Sequence, residues 1–242
     1  LGKQMRDSVL SQFPSGAVPR EIAQELYIYQ CHLMNQYERR MTQTFVSDDA
    51  HMEEELYQLP IRAFQDEYSS RKIVSEAQWK QLGFLKWSDP REEFMETPPG
   101  VLALDCMVYF AKNKHEAFAQ IVFGHTENQC PFADASIALT KVLCQIFRVG
   151  EPPIELAHEF IPVVVIHDEP LKEIFCVTIQ LLFKTWKEMR ASKQDLEKVM
   201  VVVKKQILTV LQFGMVLSSI DTMKNKLFEL TYKKIIEAEE NS

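Results

Sequence analysis

Glycine is scarce in this sequence, and its scarcity argues against nucleotide binding. The 242 residues include only 7 glycines, and these are scattered along the chain. A phosphate-binding loop needs clustered glycines so that backbone N–H groups can approach phosphate oxygens, and neither G-x-x-x-x-G-K nor G-x-G-x-x-G occurs. We therefore expect no nucleotide bound in a familiar way.

Basic residues are also fewer than acidic residues. Asp and Glu number 34 against 27 Lys and Arg, which gives a net charge of -7. Such a balance repels phosphate backbones and anionic lipids, so nucleic acid is not an expected partner.

No stretch approaches the roughly 20 apolar residues that cross a bilayer, and the start, LGK, lacks a signal peptide. Because Leu1 is not an initiator methionine, we expect a piece of a longer protein.

Clusters of metal ligands and activated nucleophiles are likewise missing. His125 with Cys130 comes nearest to a zinc site but lacks a second pair, and Cys31 and His32 point to different faces of one helix. No G-x-S-x-G elbow occurs. We predict no metal, no cofactor and no catalytic residue. Widely spaced cysteines, most of them inside apolar stretches, predict buried thiols of an intracellular protein: Cys31, Cys106, Cys130, Cys144 and Cys176.

Two further groups of residues have a structural and a functional interpretation. The carboxylates of Glu92-Glu93 and of 53–55 are interpreted as solvated faces rather than as acid–base pairs. Trp186, within KTWKEMR, has Leu182 and Met189 at helical spacing. This spacing favours a core anchor over a ligand platform.

What the sequence does contain is apolar residues repeated at intervals of three and four, which predicts an all-α chain of roughly nine or ten helices. The stretch FIPVVVIH (160–167) is β-branched, but with no second strand we expect a helix or a buried extended linker. Helices are predicted over 19–45, 49–68, 75–83, 114–123, 134–148 and 169–190, and the second of these is kinked or divided at Pro60. A further helix is predicted after Thr97, which would cap it, with Pro98 and Pro99 at its first positions. Two more helices are predicted to begin with capping boxes, at Ser192/Asp195 and at Ser218/Asp221.

Several blocks together resemble the ELMO domain of the engulfment and cell motility proteins. They occur in the family's order between residues 82 and 192: LGF, DP, TPPGVLALD, CPFADASIALTKVLC, VGEPP and IQLLFKTWKEMRAS. The resemblance implies an ELMO-domain helical bundle with flanking armadillo-like helices. On this basis residues 1–74 form a helical linker from an armadillo-like region, 75–192 the ELMO domain core and 193–242 the C-terminal helices.

The resemblance also implies a function. Such proteins form a complex with Dock-family exchange factors that activates Rac, remodels actin and promotes engulfment of apoptotic cells and migration, without catalysis of their own. The main Dock-binding elements, which include a proline-rich tail, lie outside this chain in the family. The implied protein is cytoplasmic and recruited to the plasma membrane, and its further contacts are membrane receptor tails and its own flanking domains.

A second branch of the same family resembles GTPase-activating proteins for Arf-like GTPases, with an arginine after the phenylalanine of P-x-T-D-F-R-G. This arginine is a finger that stabilises charge on the transferring phosphoryl group. Here the pattern aligns with PREEFM, so Met95 occupies the finger position. We expect Met95 to fill space between helices, and Arg91 to be offset by Glu92 and Glu93. Asn128 stands where the engulfment branch usually has histidine, so any contact of that histidine is in doubt.

Overall fold

The computed structural model describes residue 11 and residues 18–64, 74–124 and 128–240. These residues form twelve α-helices and no strand, which confirms the all-α prediction. In chain order the α-helices are α1 Arg20–Asn35, α2 Glu38–Thr42, α3 Ala50–Ala63, α4 Glu76–Gln81, α5 Leu102–Asn113, α6 His115–Phe123, α7 Phe132–Ile146, α8 Pro162–Ile166, α9 Pro170–Glu188, α10 Leu196–Leu211, α11 Ile220–Glu229 and α12 Tyr232–Glu240. Three 3₁₀ turns cover Pro90–Phe94, Lys193–Asp195 and Gly214–Val216.

Helix α9 lies at the centre of the main core. Apolar residues surround its axis, as expected of a helix enclosed by others, and its buried side chains run from Leu171 to Trp186. Helices α5, α7, α10 and α11 all pack against it. Among the described helices, none combines the length and apolar character that a bilayer-spanning segment requires.

Helix α1 is held by a second, smaller cluster. Leu26 and Tyr27 pack with Phe160 and Val165, beside helix α8. Three side chains of α1 also accept backbone N–H groups: Tyr27 Oη from Ile154 at 3.1 Å, Gln30 Oε1 from Ile161 at 2.8 Å and Asn35 Oδ1 from Gly150 at 2.8 Å. The segment 160–167 contains the short helix α8, and a helix was one of the two alternatives, besides a buried extended linker, expected from the sequence.

The main core includes residues from all three predicted domains. Leu56 of the predicted linker, Leu139 of the predicted ELMO core and Leu227 of the predicted C-terminal segment all belong to it. The boundaries at 74/75 and 192/193 stay predictions.

Several predicted helix ends differ from the structure. The helix predicted over 19–45 is two helices, α1 and α2, separated at Tyr37, whose hydroxyl donates to Glu169 Oε2 at 3.0 Å. Pro60 lies inside α3 without dividing it, and residues 65–68 of that prediction lie outside the described residues.

The predicted caps have mixed outcomes. The capping box of Ser192 and Asp195 is confirmed. The box at Ser218 is wrong, because Ser219 instead accepts the N–H of Thr222 at 3.1 Å. Thr97 caps no helix either: residues 97–100 form turns, and α5 begins only at Leu102.

The start of helix α7 is fixed by the turn that follows α4. The carbonyl of Leu82 accepts the N–H of Ala133 at 2.9 Å, and that of Gly83 accepts the N–H of Asp134 at 3.3 Å. Gly83 has φ +88°, and a Cβ there would lie 2.4 Å from the nitrogen of Phe132. This contact brings together the sequence blocks LGF and CPFADA.

We predict that Gly83→Ala lowers the free energy of unfolding by about 3 kcal/mol, since left-handed strain adds to a backbone overlap. Gly214→Ala is the matched control, because Gly214 has φ +47° but a Cβ there meets nothing within 4 Å. Its expected loss is about 1 kcal/mol from strain alone. Urea unfolding measures both variants, and equal losses would contradict the packing described here.

Candidate functional site

The loop that joins α4 to α5 carries the residues singled out by the sequence. It contains the 3₁₀ turn Pro90–Phe94, and the Phe94 ring is fully buried. The ring centroid of Phe94 lies 6.2 Å from that of Phe45 and 6.2 Å from that of Phe84. Phe94 therefore anchors the middle of the loop in the core, while its neighbours face outward.

Met95 lies at the surface. Its side chain is 54% exposed, so the expectation that it fills space between helices is wrong. The reason is local: Phe94 points inward, and the next residue of the turn points away from the core. A thioether at this position is uncharged and offers only a weak hydrogen-bond acceptor.

Arg91 is held by carboxylates of its own chain. Its Nε donates to Asp89 Oδ1 at 2.6 Å, its Nη2 to Asp89 Oδ2 at 3.0 Å and its Nη1 to Glu53 Oε1 at 3.2 Å. These hydrogen bonds raise the pKa of Arg91, and the bond to Arg91 lowers the pKa of Asp89. The carboxylates that offset Arg91 are thus Asp89 and Glu53, not the expected Glu92 and Glu93.

The interpretation of the acidic pairs as solvated faces is only partly right. Glu92 is exposed and lies 3.5 Å from the Lys86 ammonium. Glu93 instead accepts two backbone N–H groups through Oε1, from Leu85 at 2.7 Å and from Lys86 at 2.6 Å. It therefore fixes the course of the loop, because these backbone donors would otherwise lack a partner in the protein.

A second charged group links three helices beneath the loop. Arg40 of α2 donates through Nε to Asp105 Oδ2 of α5 at 2.8 Å and through Nη2 to Glu55 Oε2 of α3 at 2.8 Å. Burial raises the pKa of Glu55, the charge of Asp105 adds to this effect and Arg40 opposes it. Each charge has an opposite partner, so the group stabilises the helix packing and offers no free acid or base.

The four buried thiols are unsuited to nucleophilic chemistry. Cys106, Cys130, Cys144 and Cys176 are buried, as predicted, whereas Cys31 is partly exposed. Burial raises the pKa of the Cys144 and Cys176 thiols to about 12, so they stay protonated at neutral pH.

No group of three metal-ligating side chains occurs among the described residues. His125, which the sequence placed nearest to Cys130 as a candidate zinc ligand, lies outside the described residues.

Trp186 is a core anchor, as its spacing predicted. Its side chain is buried, and its indole N–H donates to the backbone carbonyl of Asn128 at 2.8 Å. Any residue at position 128 supplies this carbonyl. The contact between α9 and residue 128 therefore does not depend on the histidine that is replaced here by asparagine.

Fold and site together define an all-α protein whose prominent loop presents an uncharged methionine and an arginine held by carboxylates. The profile of the ELMO/CED-12 family matches residues 35–200, and the chain belongs to this family.

The curated relatives are engulfment and cell motility proteins. The chain is 39% identical to engulfment and cell motility protein 1 of Homo sapiens, 36% to protein 2 of Homo sapiens and 34% to protein 3 of Homo sapiens. Each match covers 97% of this chain and 34% of the relative. The chain thus spans about a third of the length of the curated relatives it matches.

Asp134, in the first turn of α7, has an unusual protonation equilibrium that sequence reasoning missed. Burial, and after it the charge of Glu93, raise its pKa from 3.8 to about 6, and the charge of Lys193 opposes this shift. A raised carboxyl pKa means that the folded protein binds the proton more tightly than the unfolded chain. Stability therefore falls as the pH rises from 3.8 through about 6.

We predict that Asp134→Asn stabilises the protein by about 1 kcal/mol at pH 7.5, after allowance for solvent screening. The gain should vanish below pH 4.

Asp195→Asn is the control of opposite sign, because hydrogen bonds from Ser192 and then Lys198 lower the pKa of Asp195 to about 2. It should destabilise at neutral pH, with the effect lost as the pH falls through about 2. Urea unfolding across this pH range tests both; a pH-independent gain for Asp134→Asn would contradict the assignment.

Proposed function

We propose that this chain is the central, non-enzymatic scaffold of an ELMO protein. In this proposal it works with a Dock-family exchange factor to promote activation of Rac, remodelling of actin, phagocytosis of apoptotic cells and cell motility. Membership of the ELMO/CED-12 family supports the proposal, as do relatives named for engulfment and cell motility.

The single observation that supports the non-enzymatic part of the proposal is that the loop between α4 and α5 offers no free arginine at the finger position. An arginine finger acts by placing an available cation on the charge that develops at the transferring phosphoryl group, and it accounts for roughly a thousandfold or more in rate. Met95 stands at the finger position and carries no charge. Arg91 cannot replace it without breaking its hydrogen bonds to Asp89 and Glu53.

The scaffold would act by holding partners in a fixed arrangement. Dock-family factors are reached mainly through regions outside this chain, and Rac only indirectly. Receptor tails and flanking domains of the same protein are further partners for the helical surfaces. The net charge of -7 disfavours direct attraction to anionic lipids, so recruitment from the cytoplasm to the plasma membrane would depend on protein partners.

Single-turnover GTP hydrolysis on a panel of Arf-like GTPases separates the scaffold from the GTPase-activating branch. We expect no acceleration by the unmodified chain or by Arg91→Ala, because Met95 is uncharged and Arg91 is bound by Asp89 and Glu53. We expect acceleration only with Met95→Arg, with uncharged Met95→Gln as the matched control. Acceleration by the unmodified chain that Arg91→Ala abolishes would overturn the proposal.

A further inference from the structure

A small cleft lies on the surface between α3, α4 and the loop before Phe94. Its volume is about 220 Å³, below the 300 to 1,000 Å³ of typical sites for drug-sized ligands. It can therefore take one side chain or one small ion rather than a whole cofactor. Its walls carry three aromatic side chains and three carboxylates: Tyr57, Trp79, Trp87, Glu53, Glu76 and Asp89.

The aromatic wall is exposed at its edge and supported from behind. Tyr57 and Trp87 are 39% and 38% exposed, so part of each ring is open to a ligand. The Tyr57 ring lies 5.7 Å from the Trp79 ring, and Trp79 in turn lies 5.3 Å from the ring of Phe84 in the core. The face of an aromatic ring attracts a cation, and tryptophan does so most strongly.

The charge of the cleft points to the same class of ligand. Three carboxylates, Glu53, Glu76 and Asp89, face one cation, the Arg91 guanidinium, so the lining has a net charge of -2. Arg91 bonds to Glu53 and Asp89, whereas Glu76 is exposed in the first turn of α4. An anion would be repelled here, and a cation would be attracted.

We propose that this cleft binds an organic ammonium group, such as the side chain of a lysine or methylated lysine from a partner protein. The ammonium would lie against the rings of Tyr57 and Trp87, close to the carboxylate of Glu76. This inference concerns a face of the molecule and does not depend on the proposed function in Rac activation.

Arg91 has a definite part in this proposal. Its guanidinium neutralises Glu53 and Asp89 on the cleft wall, and so it competes with an incoming cation for the same carboxylates. Replacing it with neutral Gln would leave three carboxylates without an opposing charge. The site should therefore bind an ammonium more tightly without Arg91, which is the opposite of what a supporting side chain would do.

The indole N–H resonances in a nitrogen–proton NMR spectrum test the proposal on the 242-residue chain. The chain has three tryptophans, and Trp186 is buried at the far end of α9 as an internal reference. Nα-acetyl-lysine methylamide and its Nε-trimethyl form are the probes, and the uncharged Nε-acetyl form is the control. We expect saturable shifts of Trp79 and Trp87 with the charged probes only, while Trp186 stays unchanged.

Variants then separate this site from unspecific attraction to an acidic surface. Trp87→Ala should abolish binding, and Glu76→Gln should weaken it by a factor of roughly two to five, as expected for a partly exposed charge pair. Arg91→Gln should strengthen it by a similar factor. Glu197→Gln, at an exposed carboxylate of α10, should change nothing.

Three results would overturn the proposal. They are the absence of a saturable shift with either charged probe, equal binding of the uncharged probe, and unchanged affinity in both Glu76→Gln and Arg91→Gln. Glu76 is exposed, so its variant should keep the fold and stays informative even if Trp87→Ala unfolds. A tighter complex with the trimethyl probe would identify a methylated lysine as the preferred ligand, and a tighter complex with the plain ammonium would identify unmodified lysine.

Discussion

The docking of the Leu82–Phe84 turn onto the start of helix α7 is the constraint on which the loop and its surface depend. The first N–H groups of a helix have no partner within the helix, and here two of them are taken by the carbonyls of Leu82 and Gly83. This contact fixes where the loop leaves the core, and Phe84 then meets Phe94 to fix the middle of the loop. The positions of Arg91 and Met95 follow from these two anchors.

Opposite charges around the loop are matched within the chain. Arg91 is matched by Asp89 and Glu53, and Arg40 by Asp105 and Glu55, so neither guanidinium is left free for a substrate phosphate. Paired, partly buried charges fix the positions of neighbouring helices, and charges that are paired in this way are not available to act on a substrate. A surface built in this way suits a protein that positions others, which is the role proposed for this member of the ELMO/CED-12 family.

Some local features of the fold were predictable from sequence, whereas contacts between distant segments were not. Apolar periodicity located α7 and α9, and the capping box at Ser192 was read correctly because both partners lie within four residues. The exposure of Met95 and the pairing of Arg91 with Glu53, 38 residues away, depend on how the loop docks. The aromatic cleft left no sequence signal either, because its walls come from three separate segments.

In the proposed function, the protein acts on Rac through a Dock-family factor and has no catalytic activity of its own. Nucleotide exchange on purified Rac, with a Dock-family factor, the full-length protein or both, tests this proposal. We expect the full-length protein alone to leave the exchange rate and the GTP hydrolysis of Rac unchanged, and to accelerate exchange when the Dock factor is present. The proposal would be overturned by a change in the nucleotide state of Rac caused by the full-length protein alone, or by the absence of any effect on the Dock factor.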